Sequence, residues 1–277
     1  NDVVNSDDYR AYVGGTSGLI YGYVNDGFYT VADFESFDSK SRTWKLKEGV
    51  VDSSPLSDTP RPGNAKFKKL TPVDPNSTNP YQLTEADRTV IGNTTPKFSG
   101  GFGLNATYKG FDMSMFFNFM YDFDVLNANK IMLTTWADNK ENNFLMDIAS
   151  DKRWRNFDDM GNEIRYSPEV LAEFNKNATM WNPTSIGRPI CMSYAVEDGS
   201  FLRLNSATLG YTLPSVWTKK VGLSKVRFYV SGNNLFTLTG YSGYDPEVNI
   251  ATGLTPNIDY DRYPRSRTYT FGAQLTF

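Results

Sequence analysis

The chain closes on the segment SRTYTFGAQLTF (266–277), in which apolar and polar side chains alternate. From residue 269 onward the odd positions are apolar, and the even positions carry threonine, glycine or glutamine. A period of two residues predicts a β-strand with one apolar face and one polar face. A strand of a soluble β-sandwich has the same pattern, so the environment of the apolar face depends on the rest of the chain.

Five earlier segments resemble this last one, and they are 18–24, 97–109, 111–124, 200–213 and 225–237. The alternation in 111–124 has two exceptions, Phe116 and Met120, and in 200–213 it is clearest in the second half. Most of these segments exceed the roughly 5–6 residues of an ordinary strand. Their lengths match the ~9–11 residues that a tilted strand needs to cross a membrane.

The connections between these segments alternate between short and long. Lys109-Gly110 and 214–224 are short, whereas 25–96, 125–199 and 238–265 are long and rich in Pro, Asn and Asp. Short turns on one side and long loops on the other are typical of outer-membrane barrels, and structureless links of this length are unusual in a compact soluble domain. The pattern predicts an all-β, antiparallel transmembrane barrel with its long loops outside the cell.

One helix is predicted inside the second long loop. Ser167 can cap it, Pro168 suits its first position, and Leu171 and Phe174 lie on one side of the segment that follows.

The composition is consistent with a barrel and excludes a helical membrane protein. The 277 residues are 39% hydrophobic and 15% aromatic, their mean hydropathy is -0.47, and no segment approaches the ~20 apolar residues of a spanning helix. Only alternate residues of a barrel strand face lipid, so its average hydropathy stays low. A net charge of -3 argues against a nucleic-acid-binding protein.

The residue types present exclude several kinds of active site. The chain has no histidine, so it cannot form a Ser-His-Asp triad or a His-ligated zinc site by itself. Its single cysteine, Cys191, excludes an internal disulfide. The first residues, NDVVNSDDYR, do not form a signal peptide, so either a signal has been removed or the chain is part of a longer protein.

Several motifs together resemble one family. They are DRTVIGNTTPKFSGGF (87–102), YKGFDMSMFFNF (108–119), EDGSFLRLNSATLGYTLP (197–214), VSGNNLFTLTGYSGYDPEV (230–248) and YPRSRTYTFGAQLTF (263–277), with IYGYVNDGFYT (20–30) as a further match. In this order they resemble the C-terminal part of SusC-like TonB-dependent transporters. These are the RagA/SusC nutrient importers of the Bacteroidetes outer membrane.

The resemblance implies a barrel of roughly 22 strands around a plug. The chain would then be a C-terminal portion, with the plug and TonB contacts elsewhere in the receptor. It implies active import of an oligosaccharide or oligopeptide together with a SusD-like surface lipoprotein, with no enzymatic activity and no cofactor. It also implies that the last strand carries a barrel-assembly signal, formed by Tyr269, Phe271, Leu275 and Phe277.

Particular side chains are expected to face lipid or to contact a ligand. The expected lipid-facing residues are Phe102, Leu104, Met113, Phe117, Phe119, Leu209, Tyr211 and Phe271. Candidates for contact with substrate or partner are Trp136, Trp154, Trp181, Tyr194, Arg262 and Arg265. The alternative for the aromatic residues is packing within the loop, which we favour, and the alternative for the arginines is a solvated loop that balances its own charges.

A metal site is not expected. Asp74 and Asn76 match the first ligand positions of a calcium-type loop, with Asp87 as a distant third candidate, but Thr78 and Asn79 stand where a carboxylate and a glycine are required. Two other functions remain open on the sequence alone. They are a passive porin or adhesin barrel, and a soluble β-sandwich that binds carbohydrate.

Overall fold

The computed structural model describes residues 6–57, 59–135, 144–149, 151–186, 189–248, 255–260 and 263–277. Within these ranges the strands are β1 (Tyr9–Arg10), β2 (Leu19–Gly22), β3 (Asn25–Phe28), β4 (Phe34–Asp38), β5 (Thr43–Leu46), β6 (Ala65–Phe67), β7 (Thr89–Asn93), β8 (Phe98–Tyr108), β9 (Phe111–Tyr121), β10 (Asp124–Asn127), β11 (Val196–Asp198), β12 (Phe201–Thr212), β13 (Lys225–Thr239), β14 (Ile258–Asp259) and β15 (Thr268–Thr276).

The helices in the same ranges are short. The α-helices are α1 (Ala128–Met132), α2 (Pro168–Phe174) and α3 (Ser215–Thr218). The single 3-10 turns are Ser6–Asp8, Val31–Asp33, Glu85–Asp87, Met146–Ile148, Pro183–Ser185, Ser193–Ala195 and Lys219–Val221. In the part of the chain described, no helix has the length and apolar character needed to cross a membrane.

The five long strands form one antiparallel sheet in chain order, β8–β9–β12–β13–β15. The alternation of apolar and polar residues therefore predicted these strands correctly. The β8–β9 hairpin closes through Lys109 and Gly110, both with positive φ (45° and 91°), as a two-residue type I′ turn requires.

The apolar residues of these strands lie on one continuous face. Leu209 pairs with Met113 on one side and with Val230 on the other, and Val230 pairs with Phe271. The same register places all eight predicted lipid-facing residues on this face. Phe271 is 81% exposed at its outer edge.

A β-bulge explains why the alternation of 200–213 is clear only in its second half. The pairing of β12 shifts between Leu204 and Ser206, so the apolar face passes from even to odd positions there. On β13 the same irregularity falls at Asn234, which has a φ of +53°. A bulge of this kind re-aims side chains locally while the faces on either side stay in phase.

The three long connections fold together at one end of the sheet, and we call residues 6–96, 122–200 and 240–267 the loop layer, within the described ranges. Strand β10 pairs with β11 and, in parallel, with β14, which joins the second connection to the third. A buried cluster containing Tyr23, Leu83 and Trp181 joins the first to the second. The layer therefore has a core of its own.

Segment 18–24 was predicted to be a strand like the long ones, and its place among them was wrong. This segment forms β2, which pairs with β1 and β7 inside the loop layer and not with the long strands. The strand is only four residues long, Ile20 is fully buried in the loop core, and a Cβ at Gly22 would lie 2.4 Å from the Cys191 carbonyl oxygen. Such a strand fits a packed loop and is too short to span a membrane.

The predicted helix is confirmed as α2, with Pro168 in its first turn and Leu171 buried. Ser167 stands at the N-cap position, but its side chain makes no capping hydrogen bond. Its carbonyl oxygen instead accepts from the Leu171 amide at 2.8 Å, so the expected side-chain cap is absent from this helix.

Candidate functional site: the polar face of the sheet and its loop anchor

The polar face of the sheet carries an ion pair that spans three strands. Arg227 on β13 donates from Nε to Asp112 Oδ1 on β9 at 2.9 Å, and from Nη2 to Oδ2 at 2.5 Å. The pair passes over Gly210 on the intervening strand β12, where a Cβ would lie 2.4 Å from Arg227 Nη2. Glycine is therefore needed at this position for the two charges to meet.

Further polar groups continue this face. The hydroxyls of Thr208 and Ser231 lie 2.8 Å apart across β12 and β13. Two aromatic rings cover glycine backbone on neighbouring strands. A Cβ at Gly272 would lie 2.4 Å from the ring of Tyr229, and a Cβ at Gly101 would lie 2.9 Å from the ring of Phe116. Phe116, the first exception to the alternation, thus has a structural role on the polar face.

The second exception, Met120, marks where the loop layer covers the polar face. It packs against a buried cluster composed of Phe123, Val125, Phe201, Tyr241 and Val248. Most of these residues come from the connections on either side of the long strands. An apolar side chain is favourable at this position because loop residues, rather than water, lie over it.

Arg203 fastens the third connection to the sheet. Its side chain is only 1% exposed and makes two hydrogen bonds with Asp245, from Nη1 to Oδ2 at 3.1 Å and from Nη2 to Oδ1 at 2.5 Å. Nη1 also donates to Asn234 Oδ1 at 2.9 Å. The β-bulge presents Asn234 to this group.

The predicted candidate Arg265 extends the same group of charges. Its Nη2 lies 3.0 Å from Glu247 Oε1, and its carbonyl oxygen accepts from Asn234 Nδ2 at 3.1 Å. We call Arg203, Asn234, Asp245, Glu247 and Arg265 the loop anchor. Its chemistry is that of a buried, charge-assisted network that fixes residues 240–248 against the polar face.

The loop anchor was missed in the sequence except for Arg265. The available signal was an arginine in a strand whose other side chains, FLRLNSATL, are all uncharged. A charge at an inward position of a strand needs a partner, but the partner Asp245 lies 42 residues further along. Periodicity does not identify a contact of that range.

The aromatic candidates lie inside the loop core. Trp154 is 3% exposed and Trp181 is 2% exposed, each within a different buried cluster. Tyr194 meets Trp181 edge-on at a centroid distance of 4.8 Å, and Lys130 Nζ lies 4.3 Å from the centre of its ring. These three side chains therefore pack within the loop layer, and their contact with a substrate or partner stays a prediction. Trp136 and Arg262 lie outside the described residues.

The four residues of the predicted assembly signal are exposed at the edge of the sheet, and their role in assembly stays a prediction. Tyr269, Phe271 and Leu275 belong to the apolar face of β15, and Phe277 directly follows this strand. Their exposed fractions are 60%, 81%, 50% and 90%, respectively.

The weak metal candidates have other roles. The fully buried Asp87 carboxylate accepts from the Thr71 amide and hydroxyl, both at 2.7 Å, and from the Thr84 amide at 2.8 Å. Asp74 accepts from the Asn76 amide in an exposed turn. Among the described residues, no three His, Cys, Asp or Glu side chains are grouped so that they could hold a metal ion.

Asp87→Asn is expected to destabilise the loop layer by about 1–3 kcal/mol at neutral pH, because buried donors lose an acceptor. Burial acts to raise the pKa of the Asp87 carboxyl, but hydrogen bonds from Thr71, Thr84 and Leu70 outweigh it and hold the pKa well below its usual value. The stabilisation is therefore complete above pH ~4, the pKa of an unfolded Asp, and falls as the solution is acidified further.

Hydrogen exchange of the backbone amides in residues 65–93, followed from pH 7 to pH 2, measures this loss of stability. The variant should show a flatter profile, the exposed control Asp74→Asn should match the wild type, and equal profiles for all three proteins would contradict the prediction.

Known proteins resemble the chain in sequence and in fold. No family model matches the sequence. The TonB-dependent receptor P3 of Formosa agariphila is 33% identical over 266 residues, which cover 94% of this chain and 22% of that receptor. The TonB-dependent receptor SusC of Bacteroides thetaiotaomicron is 36% identical over 88 residues, which cover 30% of this chain and 8% of SusC.

A chain in a solved structure of the RagAB peptide transporter has a similar fold, with a TM-score of 0.57 and 22% sequence identity. The match covers 95% of the present chain and 23% of the chain in that structure. At that identity the likeness establishes the fold alone. The chain spans about a fifth of the length of the Formosa receptor, 22%. The chain therefore belongs to the family of TonB-dependent receptors.

Proposed function

We propose that the receptor containing this chain imports a nutrient across a bacterial outer membrane with energy supplied through TonB. The chain contributes part of the barrel wall and the loop layer above it. The nutrient is an oligosaccharide or an oligopeptide. The observation that carries this proposal is the two-faced sheet, which is apolar across all five strands on one side and polar on the other.

The dimensions of the sheet support a place in the membrane. Strands β8 and β9 each contain 11 residues, and a tilted spanning strand needs ~9–11. The apolar face would then contact lipid and the polar face would line an aqueous interior. Aromatic residues stand near both ends of this face, with Phe98 and Tyr121 at the loop end and Tyr108 and Phe111 at the turn end. This is the placement expected of interfacial girdles.

The loop layer would lie outside the cell under this proposal. Its buried clusters give it a defined surface, which suits it to contact a SusD-like lipoprotein that covers the barrel. The loop anchor would hold residues 240–248 over the mouth of the lumen. Contact with TonB belongs to parts of the receptor outside this chain.

Uptake measurements test the proposal. Cells that express the full receptor should accumulate a labelled oligosaccharide or oligopeptide, and accumulation should stop when TonB is deleted. A passive porin would continue to admit the solute without TonB. A SusD-like lipoprotein should co-purify with the receptor from outer membranes. A receptor that stays soluble and monomeric without detergent would favour the carbohydrate-binding sandwich and overturn the proposal.

A further inference from the structure

A cleft on the loop layer is lined by three arginines that the proposed import does not use. It has a volume of about 470 Å³ and lies between residues 153–158, Arg165 and the turn 182–184. Small-molecule sites commonly measure roughly 300–1,000 Å³. A smaller cavity of about 140 Å³ adjoins it and shares Asn156, Arg165 and Thr184 with it. We call the larger cavity the arginine cleft.

The walls of the arginine cleft are fixed by hydrogen bonds. Asn175, only 5% exposed, accepts from the Arg155 amide at 2.7 Å and donates to the Arg155 carbonyl at 2.9 Å. The Trp154 amide donates to the Met180 carbonyl at 2.8 Å. On the opposite wall, the Asn182 amide donates to the Gly63 carbonyl at 2.8 Å. The cleft is therefore shaped before any ligand arrives, which lowers the entropic cost of binding.

Two of the acceptor side chains in the cleft, Asp158 and Asn182, are already occupied. Asp158 Oδ1 accepts from the amides of Met160 and Asn162, and its Oδ2 accepts from the Asn162 side chain. Asn182 Oδ1 accepts from the amide and the hydroxyl of Thr184. Little acceptor capacity remains for a ligand on these side chains.

The donors, in contrast, are in surplus. Each guanidinium has five N–H groups, yet within the described ranges Arg153 donates once, to the Ile148 carbonyl, and Arg155 once, to Asp159. Arg165 Nε forms an ion pair with Glu163 Oε1 at 2.5 Å, and among the described residues no hydrogen bond uses its two Nη groups. The buried indole N–H of Trp154 has no hydrogen-bond partner in the part of the chain that the structure describes. A ligand for this cleft must therefore bring acceptors.

The charge of the arginines favours an anionic acceptor. The carboxylate that balances Arg155 belongs to Asp159, whose side chain is 78% exposed, so this pair contributes little stability and can give way to a ligand. A planar guanidinium matches a carboxylate with two parallel hydrogen bonds. Phe157, 46% exposed at the rim, adds an apolar surface beside the charged groups.

We propose that the arginine cleft binds a carboxylate carried by the imported oligomer, and so captures acidic nutrients at the outer surface. This inference rests on the proposed function, because it places the loop layer outside the cell. The carboxylate belongs either to the uronic acid of an oligosaccharide or to an acidic residue or C-terminus of a peptide. Both present the same group to the arginines.

Titration of the purified full receptor with four probes tests this inference. Trigalacturonate and triglutamate carry the carboxylate, and maltotriose and triglutamine are their neutral counterparts. One acidic probe, or both, should bind at least tenfold more tightly than its neutral counterpart, and the binding should weaken as salt is added. The probe that binds identifies the source of the carboxylate. Equal binding of acidic and neutral probes, or binding of neither, would overturn the proposal.

Variants locate the binding in the cleft. Arg155→Gln and Arg165→Gln should each weaken the acidic probe about tenfold or more, since a charge-assisted hydrogen bond is lost. Arg165→Lys should recover part of the affinity. Lys176→Gln removes a positive charge from the same connection outside the cleft and should leave affinity unchanged. Thermal unfolding should first show that both arginine variants are folded. If both then bound the acidic probe as tightly as wild type, the cleft assignment would fail. The import proposal would still stand if uptake required TonB.

Discussion

Replacing Arg203 with methionine is expected to destabilise the receptor by about 3–5 kcal/mol, because a buried ion pair loses one partner and the other charge stays buried. The buried charge is that of Asp245, whose side chain is only 10% exposed and which would keep only the more distant Arg265, with Nε 3.8 Å from Asp245 Oδ2. Asn234 and Glu247 lose a neighbour in the same change. Residues 240–248 should then detach from the polar face and become accessible to water and protease.

Limited proteolysis and thermal unfolding of the detergent-purified receptor measure this effect. Arg265→Met is the matched control, since Arg265 belongs to the same loop anchor but its side chain is 44% exposed. Its loss should cost no more than about 1 kcal/mol, as for other exposed pairs. A double variant, Arg203→Met with Asp245→Leu, should recover much of the lost stability. Equal effects of the two single variants would contradict the role assigned to Arg203.

Phe271→Arg is expected to prevent or strongly reduce assembly of the receptor in the membrane. An arginine on the lipid-facing side of a barrel strand costs about 2–4 kcal/mol near the middle of the bilayer. Phe271 stands in the middle of β15, in the row formed by Met113, Leu209 and Val230. Its neighbour Thr270 pairs with Ser231 and belongs to the polar face.

Thr270→Arg is therefore the matched control, since it places the same charge one residue away on the opposite side. It should leave the yield of folded receptor close to wild type. The heat-modifiable mobility of the receptor in gel electrophoresis, combined with its amount in outer-membrane fractions, measures assembly. If Thr270→Arg disrupted assembly as much as Phe271→Arg, the assignment of the two faces would be wrong.

Local pattern was enough to predict the long strands, because the period of two residues is imposed by backbone geometry alone. The same pattern failed at β2, where short length and an apolar composition are equally compatible with a buried loop strand. Each described strand of the loop layer contains two to five residues. Such strands carry no readable period, and their pairing depends on tertiary contacts between distant segments.

The exceptions to the pattern proved to be informative about the polar face. Phe116 covers the backbone at Gly101, and Met120 lies beneath loop residues. The loop anchor could not be predicted, because it needs a bulge at Asn234 and a partner 42 residues from Arg203. Both features depend on tertiary contacts between distant segments, and neither produces a periodic pattern in the sequence.

The most direct test compares single cysteines at positions 270 and 271 of the full receptor in lipid vesicles. Cys191, the only cysteine of this chain, is buried, and burial raises the pKa of its thiol, so its background reaction with a maleimide is expected to be small. A water-soluble maleimide should label Thr270→Cys and spare Phe271→Cys, whereas a fluorophore attached at 271 should be quenched by spin-labelled lipid. Equal labelling of both positions from water, without quenching by lipid at 271, would contradict the account.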